Sequence, residues 1–555
     1  MPLLFQADLT RTLRIWFYRL VNASAPGEPT KKSILSLYVS TIDRMIRLDN
    51  DLMQKAIALA ARHDRCSQDD VLNALCHIMD GSNIPMGRPA TTATHLLEAL
   101  MARIAHRSQA DDRVRVDPNA LPVFDFLHEW FQSQSSDQQR EQAGGAPAII
   151  AQVLTQLGEP NVALWTAYHS QNQASVFDSE VKFLVIDDQG HSIKQSIHSA
   201  GRPKDPEVRN YSMEFAKGCR FEFNRSDGMI CSISASASDR VIAVAPGYRF
   251  FNPSSGNVNT ENTPPDIAHI LAADPQQGPS CAAQVAQNYK HWIIGGLHNV
   301  KEQAYQRTLE SDLQQMPPDV TIHVEISGPE ISSWFQHVLS RYVNSVGVNV
   351  DDIERLVKKV SSNKLACTNP PVPPSTSDLQ EEYFLRLAFW LACELDLERV
   401  YVHGLKLDYV IRCHASDDNM NQEVHADLLA KTVVTNRARN LGVTNRPYST
   451  LGMSTSNLEA FIEVCRLRSF PLQETATGKW ATLEGLPEFE SILDRGWFDD
   501  AFEYRDKQID FRVAVIPVAL FRLDPGGLNF VGAGDTTSAI SFIFGCFATK
   551  GLKRQ

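Results

Sequence analysis

The 555-residue chain lacks any apolar run long enough to cross a membrane. Its longest such run, Val513 to Phe521, has nine residues and contains Pro517, whereas a spanning helix needs about 20 residues. Positive charge is also scarce, since 53 lysines and arginines stand against 65 aspartates and glutamates and give a net charge of −12. Phosphate contacts require lysine and arginine, so we expect no general nucleic-acid binding.

Cysteine motifs are missing as well. The ten cysteines occur singly, with no CxxC pair and no cysteine and histidine cluster of the kind that binds zinc. Several lie among apolar neighbours, such as Cys76 after Leu75 and Cys546 before Phe547. This distribution predicts reduced core thiols and a reducing, cytoplasmic location.

The chain shows no internal repeat, and its length predicts about two to four domains. Hydrophobic residues make up 43% and charged residues 21%, which is typical of a globular protein. Residues 1–30 place Arg11, Arg14 and Arg19 among leucines and aromatics. This pattern predicts an amphipathic helix that packs on the domain, with a targeting helix as the alternative; it lacks the apolar centre of a signal peptide.

Short apolar segments alternate with helical patterns along most of the chain. Segments between about 180 and 237 alternate in hydrophobicity and predict an antiparallel sheet of four or five strands. The candidate buried strands that follow are Arg240–Val244, His291–Ile294, Thr321–Val324, Val400–Val402 and Arg512–Ile516. We therefore predict an α/β protein, with a doubly wound core and an inserted antiparallel β lid lobe formed by insertions at about 45–140 and 178–238.

The strongest candidate site is the stretch VGAGDTTSA, Val531 to Ala539. Its glycines allow the backbone to approach a ligand closely, and the free N–H groups at a helix start bind anions. Asp535 is placed there like a general base beside a phosphoryl group, whose charge the glycine amides would stabilise. The alternative is a glycine-rich helix start in which Asp535 is an N-cap. The stretch is neither a Walker motif nor GxGxxG.

The sequence GAGDTTSA resembles the GxGD signature of ribokinase-like sugar kinases. Other stretches, in the same order, resemble the ADP-dependent glucokinases and phosphofructokinases. They are Gly144–Gly145 with the helix that follows, His169–Phe177 (HSQNQASVF), Asp239–Ile242 (DRVI), His323–Glu325 (HVE) and Ser345–Asp352 (SVGVNVDD). The resemblance runs from about residue 35 to residue 550, and it implies a ribokinase-like kinase domain over 31–550.

In that family ADP is the phosphoryl donor and AMP is a product. The resemblance implies that Asp535 takes the proton from a sugar hydroxyl, whose oxygen then attacks the β-phosphorus of ADP. The implied nucleotide-binding residues are Gly532, Ala533, Gly534, Arg240 and His403.

The same resemblance implies a metal site and a sugar site. Mg²⁺ would be bound by Glu325, Asp352 and Asp535. The sugar would lie against Asp43, Gly144 and Gly145. Without the resemblance, His323 is interpreted as a packed strand histidine; on a strand it shares a face with Glu325.

Some positions depart from the family pattern. The early N-x-N-x-D motif becomes Val39 to Asp43, which keeps only the aspartate, and Ala146 follows the two glycines where the family has Asn or Gln. The second metal ligand is Asp352 instead of Glu, and the lid glutamate expected near 81–86 is missing. The phosphoryl-transfer residues are thus retained better than the sugar pocket.

These departures leave the acceptor open between glucose, fructose 6-phosphate and another sugar, because buried polar groups carry the discrimination between sugars. A phosphorylated sugar requires basic residues, and the candidates are Arg103, Arg107, Lys182 and Lys194; the alternative is that these are charges on a solvated face. Two rival functions remain: a pseudokinase that binds nucleotide or sugar without turnover, and an ATP-using sugar kinase. The sequence predicts no oligomeric state.

Overall fold

The computed structural model describes residues 33–38, 41–79, 89–106, 113–117, 120–133, 139–156, 161–166, 169–186, 192–201, 209–215, 218–235, 239–244, 281–297, 303–326, 332–362, 369–373, 380–403, 407–413, 472–474, 478–481, 503–504, 507–508, 511–517, 538–539 and 542–543. The predicted helix at 1–30, Arg107 and the stretch from Gly532 to Asp535 lie outside these ranges.

The larger of two main sheets has twelve strands. In chain order they are β1 (Ile34–Tyr38), β5 (Val162–Thr166), β6 (Lys182–Ile186), β7 (Ser192–Ser196), β12 (His291–Gly295), β13 (Thr321–Ile326), β14 (Ser345–Asn349), β15 (Arg399–His403), β16 (Leu407–Cys413), β17 (Leu472–Glu474), β18 (Gly478–Ala481) and β21 (Phe511–Pro517). Their order across the sheet is β17-β18-β21-β16-β15-β14-β13-β12-β1-β5-β6-β7. The seven strands from β15 to β6 are mutually parallel.

The second sheet has five strands. They are β2 (Thr41–Arg47), β3 (Arg113–Arg115), β4 (Gln139–Gly144), β8 (Arg209–Phe215) and β11 (Asp239–Val244), in the order β3-β11-β8-β2-β4. Two short hairpins complete the described strands, β9 (Arg220–Asn224) with β10 (Ile230–Ser234) and β19 (Glu503–Tyr504) with β20 (Lys507–Gln508).

The described helices fall into two groups along the chain. The first group is α1 (Asn50–Asp64), α2 (Gln68–Met79), α3 (Ala93–Ala105) and α4 (Leu121–Gln132). The second is α5 (Ala146–Gln156), α6 (Gln171–Ser175), α7 (Cys281–Asn288), α8 (Gln303–Gln314), α9 (Ser333–Tyr342), α10 (Val350–Ser362) and α11 (Gln380–Glu394). None of the helices in the described ranges has the length and apolar character needed to cross a bilayer.

Helices cover both faces of the twelve-stranded sheet. On one face, Trp292, Val324 and Val346 pack in a cluster with apolar residues of α7 to α11. On the other, Ile34 and Ile293 pack with α5 and with Ala539, Phe542 and Ile543. Strands buried on both faces are typical of parallel α/β sheets. The predicted doubly wound α/β core is therefore confirmed.

The four helices α1 to α4 cover one face of the five-stranded sheet. Their apolar residues pack with Tyr211, Met213 and Val241, and Phe126 stacks on Trp130 with ring centroids 5.5 Å apart. The indole of Trp130 is fully buried and donates to the carbonyl of Leu52 over 3.1 Å, which satisfies its one polar group. Whether this unit acts as the predicted lid remains a proposal.

Three predicted strands occupy sheets other than expected. The segment at 240–244 was predicted in the core, but β11 lies inside the five-stranded sheet, between β3 and β8. The segments at 181–198 were predicted in the antiparallel layer, but β6 and β7 form the edge of the twelve-stranded sheet. The apolar pattern of a segment predicts that its residues are buried, but it does not predict which strand it pairs with. Val241 and Ala243 are fully buried in the smaller sheet, so their pattern is the same as that of a strand in the large sheet.

The prediction of reduced thiols is wrong for one pair of cysteines. Cys76 of α2 and Cys231 of β10 form a disulfide, with their Cα atoms 6.3 Å apart. The two residues are separated by 155 positions in the sequence, so no local spacing indicates the pair. Cys66 and Cys219 are free thiols.

Because this disulfide closes a long loop, we predict that reduction destabilises the five-stranded sheet and its helices. Cross-links of this kind contribute about 2–4 kcal/mol, mainly by restricting the unfolded chain. Thermal unfolding of the wild type, followed with and without reductant, should show a lower midpoint under reducing conditions.

Cys231→Ser should show the lower midpoint under both conditions, while Cys219→Ser, which removes a nearby free thiol, should respond to reductant as the wild type does. A wild-type midpoint that is independent of reductant would contradict the cross-link.

Candidate functional site

The candidate site lies where the central parallel strands of the large sheet end. Register places Gly295 of β12, Glu325 of β13, Gly347 of β14 and Tyr401 of β15 side by side in one row. Two residues closer to the strand starts, and on the same face, the register aligns His323, Ser345 and Arg399. Carboxyl ends of parallel strands are the usual location of ligand sites in open α/β sheets.

His323 joins these two rows through its two ring nitrogens. Its Nε2 lies 2.6 Å from Glu325 Oε1, and its Nδ1 lies 2.8 Å from Ser345 Oγ. The ring is fully buried and stacks on Phe542 with centroids 4.9 Å apart. A carboxylate accepts only, so a neutral His323 donates from Nε2 and accepts at Nδ1. The histidine thereby holds the Glu325 carboxylate, which is 2% exposed.

Gly347 allows the helical residues 538–539 and 542–543, which follow the GAGD stretch in the sequence, to approach Glu325. A Cβ at this position would overlap both the Glu325 carboxylate and the hydroxyl of Ser538. Ser538 Oγ also lies 3.3 Å from His323 Nε2. Ser538 follows Asp535 by three residues. The described residues therefore bring the helix downstream of Asp535 directly onto the predicted metal ligand.

Arg399 binds the same helix from the other side. Its Nη1 donates to Ser345 Oγ over 2.9 Å, and its Nη2 donates to the carbonyl of Ser538 over 3.1 Å. The guanidinium also lies over the ring of Tyr401, 4.9 Å from its centroid, and over that of Phe542 at 5.9 Å. Arg399 is fully buried, so its charge is held by these groups rather than by water.

The second predicted acid, Asp352, lies in the first turn of α10. Its backbone N–H donates to Asn349 Oδ1 over 2.6 Å, and Asn349 Nδ2 donates to Asp352 Oδ2 over 2.6 Å. Asn349 thus caps the helix and orients the carboxylate. Asp352 is 6% exposed and lies 3.5 Å from a guanidinium nitrogen of Arg355. Glu325 and Asp352 come from neighbouring strand ends.

The two-glycine turn leads from the smaller sheet to α5. Gly145 has φ 82°, a conformation that other residues rarely adopt. Pro147 follows in α5, and its carbonyl accepts from Ser36 Oγ of β1 over 2.7 Å. A Cβ on Gly295 would lie 2.6 Å from the Pro147 ring. Gly295 therefore lets α5 contact the sheet one strand away from Glu325.

Asp43 lies in β2 of the smaller sheet and is 4% exposed. Asn210 Nδ2 of β8 donates to Asp43 Oδ1 over 2.9 Å. On the other face, Arg44 and Arg209 both contact the carboxylate of Glu141. Burial, and then the charge of Arg44, lower the pKa of the Arg209 guanidinium. Asn210 therefore contacts Asp43, the residue proposed to bind the sugar. The sequence motifs did not reveal Asn210.

Several predicted basic residues are not brought to this site. Lys182 and Lys194 are exposed and fall on the same face of the β6–β7 hairpin as Leu184. Leu184 packs in the cluster on the opposite face of the sheet from Phe542, and Lys194 lies over the Tyr289 ring of that cluster at 5.4 Å. This placement favours the alternative of charges on a solvated face. Arg103 is buried within α3.

The proposed nucleotide-binding residues are described only in part. His403 ends β15 beside Asn349 of β14 in register, at the same sheet edge as Glu325. Arg240 lies in β11 with its Cα paired with Glu214, and the structure describes its backbone only. Gly532, Ala533, Gly534 and Asp535 lie outside the described residues. Their roles, and the sugar-site role of Gly144, Gly145 and Asp43, stay predictions.

Fold and site together define a class of protein. A parallel sheet with helices on both faces, a second small sheet and an acid at the carboxyl edge agree with the predicted ribokinase-like α/β fold. Residues 282–544 match the conserved region of the ADP-specific phosphofructokinase and glucokinase family. This match covers just under half of the chain and confirms the predicted resemblance to the family.

Relatives and solved structures extend the similarity over most of the chain. The ADP-specific phosphofructokinase of Pyrococcus abyssi is 25% identical over 432 residues, 77% of this chain and 83% of the relative. That of Pyrococcus furiosus is 22% identical over 533 residues, 93% of this chain and 97% of the relative. A hypothetical ADP-dependent phosphofructokinase from Pyrococcus horikoshii has the same fold, with a TM-score of 0.56 at 19% identity over 92% of this chain and 97% of that chain. An ADP-dependent kinase in complex with fructose-6-phosphate and ADPβS gives a TM-score of 0.56 at 18% identity, with 96% and 98% of the chains covered.

Because a Cβ on Gly347 overlaps two polar groups at once, we predict that Gly347→Ala lowers the free energy of unfolding by about 1–3 kcal/mol. The loss should be smaller in a Ser538→Ala background, where one of the overlapping atoms is absent. Denaturant unfolding of the four proteins of this cycle measures both values. An equal cost in the two backgrounds would contradict the contact between Gly347 and the Ser538 hydroxyl.

Proposed function

We propose that this chain is an ADP-dependent sugar kinase, which transfers the β-phosphate of ADP to a sugar hydroxyl and releases AMP. The observation that carries the proposal is the buried contact of Glu325, His323 and Ser538 over Gly347. It joins two family motifs that are 213 residues apart, from 325 to 538. The curated relatives are named ADP-specific phosphofructokinases, which agrees with the proposed donor.

In the proposed reaction Asp535 acts as the general base. It would take the proton from the sugar hydroxyl as its oxygen bonds to phosphorus. The amides of Gly532, Ala533 and Gly534 would donate to the phosphate oxygens, whose charge shifts during transfer. Arg240 would pair with the donor phosphates, and His403 would lie near the nucleotide. The contacts of Ser538 support this assignment, since they hold the same helix against Glu325.

The residues at the strand ends fit a magnesium ion. Glu325 and Asp352 offer carboxylate oxygens, which Mg²⁺ prefers, and both are nearly inaccessible to water. A buried carboxylate requires a compensating charge or hydrogen bonds. Within the described part of the chain no group of three His, Cys, Asp or Glu forms a metal cluster; the third proposed ligand is Asp535. When bound, the metal would neutralise the charge of the donor phosphates.

The proposed acceptor is a sugar of the fructose 6-phosphate or glucose class. The names of the curated relatives favour fructose 6-phosphate. Asp43, held by Asn210, would accept a hydrogen bond from a sugar hydroxyl, and Gly144 and Gly145 would let the sugar approach the start of α5. The replaced asparagines of the 39–43 motif favour the rival function, a pseudokinase that binds ligands without turnover.

The function predicts AMP release that depends on both nucleotide and sugar. A coupled assay for AMP, run with ADP or ATP against a panel of sugars, should show turnover with ADP and at least one acceptor. Fructose 6-phosphate should exceed glucose in kcat/KM. Binding of ADP without release of AMP with any sugar would identify a pseudokinase. A preference for ATP over ADP would identify an ATP-using sugar kinase.

The role of Asp535 predicts that Asp535→Asn abolishes transfer with little effect on folding. General bases contribute about 10²–10⁴-fold in rate, so kcat should fall by at least about 10²-fold while the thermal midpoint stays within error. Asp319→Asn is a matched control, because Asp319 is 62% exposed in a surface ion pair with Lys290. Turnover by Asp535→Asn at the wild-type rate would reject the assigned role.

A further inference from the structure

Three buried residues and one helix form a closed ring of hydrogen bonds behind Glu325. Arg399 donates to Ser345 Oγ and to the Ser538 carbonyl. Ser345 Oγ contacts His323 Nδ1, and Ser538 Oγ lies near His323 Nε2. All four residues have no exposed surface. The ring therefore ties β13, β14 and β15 to the helix that follows Asp535.

From this ring we infer that Arg399 is a positioning residue for the phosphoryl-transfer site. Its described polar contacts are to Ser345 and to the Ser538 carbonyl. It acts through Ser345 and His323 on the Glu325 carboxylate, and through the Ser538 carbonyl on the helical residues that follow Asp535 in the sequence. The inference rests on the proposed function, which identifies the groups that are positioned. The described contacts show how Arg399 reaches them.

The chemistry of the guanidinium explains why arginine occupies this position. Arg399 is a donor only, so Ser345 Oγ must accept from it, and the single serine proton remains for His323 Nδ1. A neutral His323 then keeps its own proton on Nε2, facing Glu325 at 2.6 Å. The Glu325 carboxylate, which only accepts, selects this tautomer, and Arg399 supports it because the Ser345 proton stays directed to His323 Nδ1.

The planar fork of Arg399 also serves two acceptors at once. Nη1 and Nη2 are directed to groups on different elements, a β14 hydroxyl and a helix carbonyl. A lysine would keep the charge but lacks a rigid pair of donors. The rings of Tyr401 and Phe542 lie under the guanidinium and restrict its plane. A change to lysine should therefore preserve the fold, but weaken the hydrogen bonds to both Ser345 and the Ser538 carbonyl.

The test compares Arg399→Lys with Arg412→Lys. Arg412 is 1% exposed and pairs with Arg399 in register from β16, one strand further from Glu325. We expect Arg399→Lys to lower kcat at least tenfold while KM for the sugar changes less than threefold, because displaced catalytic groups affect the transition state more than sugar binding. Arg412→Lys should keep kcat within threefold of the wild type.

A second measurement needs no turnover. Calorimetric titration of ADP, with Mg²⁺ and with EDTA, gives the factor by which the metal tightens nucleotide binding. Arg399→Lys should reduce this factor at least fivefold, and Arg412→Lys should leave it unchanged. If the wild type releases no AMP but binds ADP more tightly with Mg²⁺ than with EDTA, the proposed function alone is refuted. A wild type with neither property would refute both.

Ser345→Ala keeps the inference testable if Arg399→Lys does not fold. This change removes the hydroxyl between Arg399 and His323 and leaves the volume almost unchanged. It should lower kcat severalfold, and Arg399→Lys with Ser345→Ala should be no worse than the more damaging single change, since both act along one chain of contacts. The inference is overturned by wild-type kcat and ADP binding in Ser345→Ala, by multiplicative effects in the double variant, or by equal damage from Arg412→Lys.

Discussion

The close approach of Glu325 and Ser538 across the bare Cα of Gly347 is the constraint on which the site depends. It requires a glycine in β14, a carboxylate in β13 and a helix that descends onto the sheet between them. His323 fills the space on the inner side and hydrogen-bonds the carboxylate. Any residue with a Cβ at 347 separates the two motifs, because packed interiors leave no room for an added atom.

The face of the large sheet that packs against Ser538 and Phe542 contains several buried polar side chains. His323, Ser345 and Arg399 have no exposed surface, and Glu325 is almost as buried. Burying such groups is unfavourable unless each finds a partner. Here they partner one another across three strands, so their arrangement is cooperative and removing one leaves others unsatisfied. A network of this kind is costly for stability alone, and it is understandable where it orients chemically active groups.

The local sequence pattern was sufficient to predict the strands of the core, but it was insufficient to predict which strands pair with one another. The apolar runs at 291–294, 321–324 and 400–402 are strands of the parallel sheet, as predicted. The run at 240–244 is also a buried strand, but it pairs within the smaller sheet. The hairpin β6–β7 extends the large sheet, although its alternation predicted the antiparallel layer. Periodicity reports which residues are buried, and pairing depends on contacts far away in sequence.

For the site, the sequence by itself determined the residue types and their motifs: Glu325 two residues after His323, Asp352 after Asn349, and GAGD before a helix. Only the tertiary structure decided which distant residues complete it. Arg399 belongs to no motif that distinguishes it from a packed or solvated residue, Ser538 lies in the GAGDTTSA stretch without a role that the sequence assigns, and Cys76 and Cys231 have no signature spacing. Their roles arise because parallel strands align residues from different parts of the chain in rows, and such rows exist only after the sheet has formed.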